Sequence, residues 1–140
     1  MHTGFTLEYV KRKGKRPEPS FQARLVRILK SRLTKQTAFF AVPDEGARGL
    51  PGAAAAPAHG AMTGVPDLIF VHGGRAFGLE LKSRSSNLSD QQRAAHVALR
   101  DAGMRVEVAR DLDEALMHLR DMGIPLTLKS PDLFRHDRAA

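Results

Sequence analysis

Hydrophobic and polar residues alternate along this chain in two different rhythms. In "PSFQARLVRILKSRL", residues 19 to 33, Phe21, Leu25, Ile28 and Leu29 recur at spacings of three and four, which predicts an amphipathic helix with Pro19 near its first turn. "TAFFAV", 37 to 42, is short, apolar and aromatic and predicts a strand. A 22-residue loop rich in Gly, Ala and Pro follows, from 43 to 64, a length that in compact domains usually signals function or disorder. "GVPDLIFVHGGRAFGLELK", 64 to 82, then supplies two strands at about 67–71 and 75–82 around Gly73-Gly74. "LSDQQRAAHVALRDAG" predicts a helix over about 89–102, with Ser89 as N-cap and Gly103 as its stop. "MRVEVA", 104 to 109, alternates as a strand, and "DLDEALMHLRDMG" reads as a helix with Asp111 and Glu114 in a capping-box pattern and Gly123 at its end. A further short strand is expected in the last residues. The order helix, three strands, helix, strand, helix is that of an α/β domain on a small mixed sheet.

The two strands of the central hairpin carry charges where a sheet should be apolar. Gly-Gly is a favoured two-residue hairpin turn; with it, His72 pairs with Arg75 and every cross-strand pair of residue numbers sums to 147. Asp67 and Glu80 are such a pair, so the register predicts two carboxylates opposite each other on one face. Like charges placed this way destabilise a sheet unless something positive joins them. Lys82, two residues beyond Glu80, points to the same face. Two carboxylates and an ammonium at one end of a hairpin suit a hard cation such as Mg²⁺, which takes about six oxygen ligands and often only one or two protein carboxylates. Such an ion polarises a phosphoryl oxygen and activates water, while the lysine orients that water or meets developing charge. The bland alternative is a solvent-facing Glu80–Lys82 pair beside an ordinary Pro-Asp turn, contributing about 1 kcal/mol at most.

Composition narrows the chemistry. At 140 residues, with 42% hydrophobic and 26% charged residues, the chain fits one domain with its own core. It has no cysteine, which excludes disulfides, thiolate zinc sites and cysteine nucleophiles. The six histidines have no metal-binding spacing, and His96 and His118 fall in helical patterns as half-exposed residues. No apolar run approaches a membrane span and the first residues lack a signal-peptide pattern, so a cytoplasmic location is expected. A net charge of +7 points to a polyanionic partner, most sharply at "KRKGKR", where Lys11, Arg12, Lys13, Lys15 and Arg16 form a candidate DNA-contacting arm. Phe39, Phe40, Phe70 and Phe77 read as core rather than base-stacking residues, since aromatics are few and Trp is absent. Pro43-Asp44 and Pro131-Asp132 lack a following Glu-x-Lys strand and read as turns.

"GVPDLIF" followed by "GLELK" resembles the PD-(D/E)xK nuclease signature, and the chain as a whole resembles a VRR-NUC domain. The likeness runs through "FQARLVRIL", "VPDEGARG", "GVPDLIF", "GLELKS", "LSDQQRAAHVALRDAG" and "VEVARDLDEAL", about residues 18 to 122. It implies a restriction-endonuclease-like αβββαβ core and a metal-dependent, structure-selective DNA endonuclease using Mg²⁺ or Mn²⁺. By position, Asp67 and Glu80 would bind the metal, the Leu81 carbonyl could be another ligand, and Lys82 would assist the attacking water. Gln92 matches the family's glutamine, or else is the capping partner of Ser89. Glu18, four residues before Gln22, is a candidate extra ligand, although Pro19 places it at the margin of the helix. Arg48 is a candidate phosphate contact. Residues 1–17 are then a basic arm, 18–128 the nuclease domain and 129–140 a tail. Small stand-alone members resemble Holliday-junction resolvases, so branched DNA and a homodimer are expected. A nucleic-acid-binding module that keeps the fold without chemistry is the competing reading, and it predicts salt-dependent binding without cleavage.

Overall fold

Ser20 opens the first helix: its hydroxyl accepts the Ala23 N–H at 3.1 Å, satisfying one of the orphan donors of the first turn. The computed structural model describes residues 20–43 and 57–128. Within them the order is α1 (Phe21–Arg32), β1 (Thr37–Ala41), a 3₁₀ turn (Pro57–His59), β2 (Leu68–His72), β3 (Arg75–Leu81), α2 (Asp90–Asp101), β4 (Arg105–Ala109) and α3 (Leu112–Asp121). Among the described residues the fold is α/β, with a four-stranded mixed sheet and three helices, consistent with a restriction-endonuclease-like core. Helix and strand ends fall within one or two residues of the sequence pattern. One exception is the long loop, which contains a 3₁₀ turn. The other is the short strand expected after Gly123, of which the described residues show a single antiparallel bridge between Leu33 and Leu126, the rest lying outside the described residues.

The sheet order is β1-β2-β3-β4. The first three strands form an antiparallel meander and β4 joins β3 in parallel, so α2 is the crossover that a parallel pair requires. At the hairpin, Gly73 and Gly74 both have positive φ (59° and 75°), the combination a type I′ turn needs and the reason glycine occupies both positions. The resulting register is His72↔Arg75, Phe70↔Phe77 and Leu68↔Leu79, each pair summing to 147.

Alternation then sorts the sheet into two faces. Leu68, Phe70, Phe77, Leu79 and Ala109 meet Leu25 and Leu29 of α1 and Ala115 and Leu119 of α3 in one buried cluster. Each fully buried leucine or phenylalanine contributes about 1.5–3 kcal/mol, so this face is a large source of stability. The opposite face carries the residues in between, Glu80 among them, and is covered by α2. Phe39, Phe70 and Phe77 join or border the core as expected. Phe40 does not: it is 54% exposed, because strand alternation sends it to the other face, at the side of the sheet away from α2.

Candidate functional site

The site lies at the end of the hairpin where β2 begins and β3 stops. Asp67 immediately precedes β2. Its carbonyl accepts the Val42 N–H at 2.8 Å, which continues the β1–β2 ladder one residue past the regular strand. Its side chain turns back across the hairpin, and Oδ2 accepts the Leu81 N–H at 2.8 Å. On the other edge of β3 the Lys82 N–H donates to the Ala109 carbonyl at 3.0 Å. Leu81 therefore turns its backbone polar groups towards Asp67, since the N–H and C=O of one strand residue point to the same side. Asp67, Leu81 and Lys82 are thus held at one end of the hairpin by backbone bonds.

Glu80 is the buried member. It is 2% exposed, and a carboxylate so placed is costly unless it is bonded or paired. Gln92 of α2 meets that demand, its Nε2 donating to Glu80 Oε1 at 2.8 Å. The same amide accepts the Ser89 N–H through Oε1 at 2.9 Å, while Ser89 Oγ accepts the Gln92 N–H at 3.1 Å. Gln92 is thus the capping partner of Ser89, and the same side chain also reaches Glu80.

His96 lies one turn further along α2, and its Nε2 is 3.9 Å from Glu80 Oε2. It is 1% exposed, which corrects the expectation of a half-exposed helix residue: the polar stripe of α2 faces the sheet here, not solvent. Burial holds the imidazole pKa below 6.5; Arg100 and Lys82 add to the lowering and Asp67 opposes it. His118 is also mostly covered, at 14% exposed, with Nε2 3.0 Å from the Val108 carbonyl and away from this site. His96 is the residue the sequence reading missed. Its signal was present, since Gln92 and His96 are four apart and share a helix face.

Beyond Lys82, Arg110 holds the next turn by donating to the Ser83 and Ser86 carbonyls at 2.7 and 2.6 Å. Arg84 pairs with Asp111 at 2.6 Å in an exposed position, a contact of small energetic weight. The groove lined by Arg32, Leu116, Arg120 and Ile124 lies by the core-side helices and holds none of the candidate residues. Glu18, Arg48, and the basic residues Lys11, Arg12, Lys13, Lys15 and Arg16 lie outside the described residues.

The donor set, two carboxylates and a backbone carbonyl, is all hard oxygen and fits Mg²⁺ or Mn²⁺. Among the described residues no group of three or more His, Cys, Asp or Glu side chains could hold a metal ion. A family model described as the VRR-NUC domain matches residues 8–111, a stretch that contains Asp67, Glu80, Lys82, Gln92 and His96. No curated protein and no solved structure matches the chain.

Proposed function

Since the chain belongs to the VRR-NUC family, a family of nucleases, we propose that it is a divalent-metal-dependent DNA endonuclease selective for branched structures such as Holliday junctions. The observation that carries this reading is the gathering of Asp67, Glu80 and Lys82 at one end of the hairpin, with Asp67 tied to Leu81 and Glu80 tied to Gln92. Asp67, Glu80 and the Leu81 carbonyl would hold Mg²⁺ or Mn²⁺. The ion, when bound, supplies charge neutralisation at the phosphate and acidifies water. Lys82 orients the attacking water through its ammonium and meets negative charge as it develops. Gln92 aims Glu80 by donating to its Oε1. Water adds at phosphorus, one P–O bond breaks, and a proton passes to the leaving oxygen.

Arg48 and the basic cluster from Lys11 to Arg16 would contact phosphates, positioning DNA without reading its sequence. Glu18 would add a carboxylate to the metal. Cutting both strands of a branched substrate needs two sites, which a symmetric homodimer would provide. No helix among the described residues is long and apolar enough to cross a membrane.

The test is cleavage of labelled four-way junction, flap and linear duplex DNA with Mg²⁺, with Mn²⁺ and with EDTA, comparing wild type and Asp67→Ala. Metal-dependent cutting, fastest on the branched substrates and reduced at least about 10³-fold in the variant, is expected for loss of a metal ligand. Tight binding without cutting under either metal would replace the nuclease with a DNA-binding module.

A further inference from the structure

Glu80 meets α2 at two points. Gln92 Nε2 donates to Oε1 at 2.8 Å, and His96 Nε2 stands 3.9 Å from Oε2. Residues four apart on a helix lie one above the other, so an amide and an imidazole face the two oxygens of one carboxylate. Packing does not account for the imidazole. It is 1% exposed, and neither ring nitrogen has a hydrogen-bond partner among the described residues. A buried polar group left so is unfavourable by about 1–3 kcal/mol, and a leucine would fill the space without that penalty. The separation from Oε2 exceeds a hydrogen bond by about 1 Å, and hydrogen bonds in catalytic sites are often long before ligand binds and tighten afterwards.

We propose that His96 is a positioning residue for Glu80: with Gln92 it forms a two-point clamp that sets the plane of the carboxylate and so the direction in which Glu80 presents its oxygens to a divalent cation. His96 is too buried to touch DNA and acts through Glu80 alone. The clamp rests on Glu80 being a metal ligand. The residues behind a ligating side chain orient it, and their loss commonly weakens metal binding about 10–100-fold.

The experiment titrates Mn²⁺ into the full chain without DNA, by calorimetry, for wild type, His96→Leu and His96→Gln. Thermal melting and the Mn²⁺ dependence of junction cleavage are measured alongside. His96→Leu is expected to melt at or above the wild-type temperature while binding Mn²⁺ about 10–100-fold more weakly. KM for DNA at saturating Mn²⁺ should not change. His96→Gln, whose amide can donate to Oε2, should recover part of the lost affinity. A purely structural role predicts a lower melting temperature with unchanged Mn²⁺ affinity, and that result overturns the clamp while leaving the metal site standing. Wild type that neither binds Mn²⁺ nor cleaves overturns the metal reading and the clamp together. If His96→Leu fails to fold, His96→Met, equally without a donor, replaces it in the same titration.

Discussion

Gln92 links the local structure of a helix to the chemistry of the sheet beneath it. Its carbonyl oxygen caps α2 through the Ser89 N–H and its amide nitrogen bonds Glu80. Two substitutions separate these jobs. Ser89→Ala removes capping only and should lower stability by about 1 kcal/mol in urea unfolding, with little effect on the cleavage rate. Gln92→Ala removes capping and also the bond to a buried carboxylate, so the loss should reach about 1–3 kcal/mol, accompanied by at least about a tenfold fall in cleavage. Equal cleavage by the two variants would show that the Glu80 contact is idle. His96 makes a second prediction at this scale. Its pKa in the fold lies below 6.5, first because of burial, so the unfolded chain takes up its proton more readily than the folded one. Its contribution is complete above 6.5 and is lost as the pH falls below that value towards the folded pKa. Lowering the pH from about 7.5 to about 5.5, with urea unfolding followed in EDTA, should therefore cost wild type more stability than His96→Leu. Asp67, Glu80 and Lys82 were legible in the sequence because a two-residue turn and a period of two leave no freedom in which face each residue takes. His96 was not, because helical spacing says which residues share a stripe but not what covers it.

One close approach brings loop and helix together backbone to backbone. Gly64 has φ of +83°, and a Cβ there would lie 2.5 Å from the Gln91 carbonyl oxygen and 2.7 Å from the Gln92 nitrogen. The segment leading into Asp67 thus rests directly on the backbone of the first turn of α2. Gly64→Ala combines an unfavourable φ with a clash against backbone. It should destabilise by about 1–3 kcal/mol, read as a lower melting temperature, and should also slow cleavage by shifting Gln92 away from Glu80. An unchanged melting temperature would mean that the loop moves aside freely. Caps and turns were readable along the chain: Ser89, Asp111 and the Gly73-Gly74 pair all act where their chemistry places them. The 3₁₀ turn at Pro57–His59 and the Leu33–Leu126 bridge were not. Both depend on neighbours remote in sequence rather than on local propensity.

At the scale of the whole molecule, a net charge of +7 should make DNA binding strongly dependent on salt. Each phosphate neutralised contributes about −0.9 to the slope of log affinity against log salt. Lys11 to Arg16 contains five basic residues, so deleting residues 1–17 should flatten the slope by up to about 4.5, measured in EDTA so that no cleavage intervenes. A slope unchanged by the deletion would remove the arm from the interface. The sequence alone determined the element order, the hairpin register and the face on which Asp67, Glu80 and Lys82 gather, because these follow from periodicity and turn chemistry acting over a few residues. It also pointed to a polyanionic partner, since charge is a property of composition. Only the tertiary structure decided that α2 covers that face, that Glu80 is buried against Gln92 and His96, and that Gly64 lies against the first turn of α2. Those contacts join segments separated along the chain, and they exist only once the two sides of the sheet have been packed.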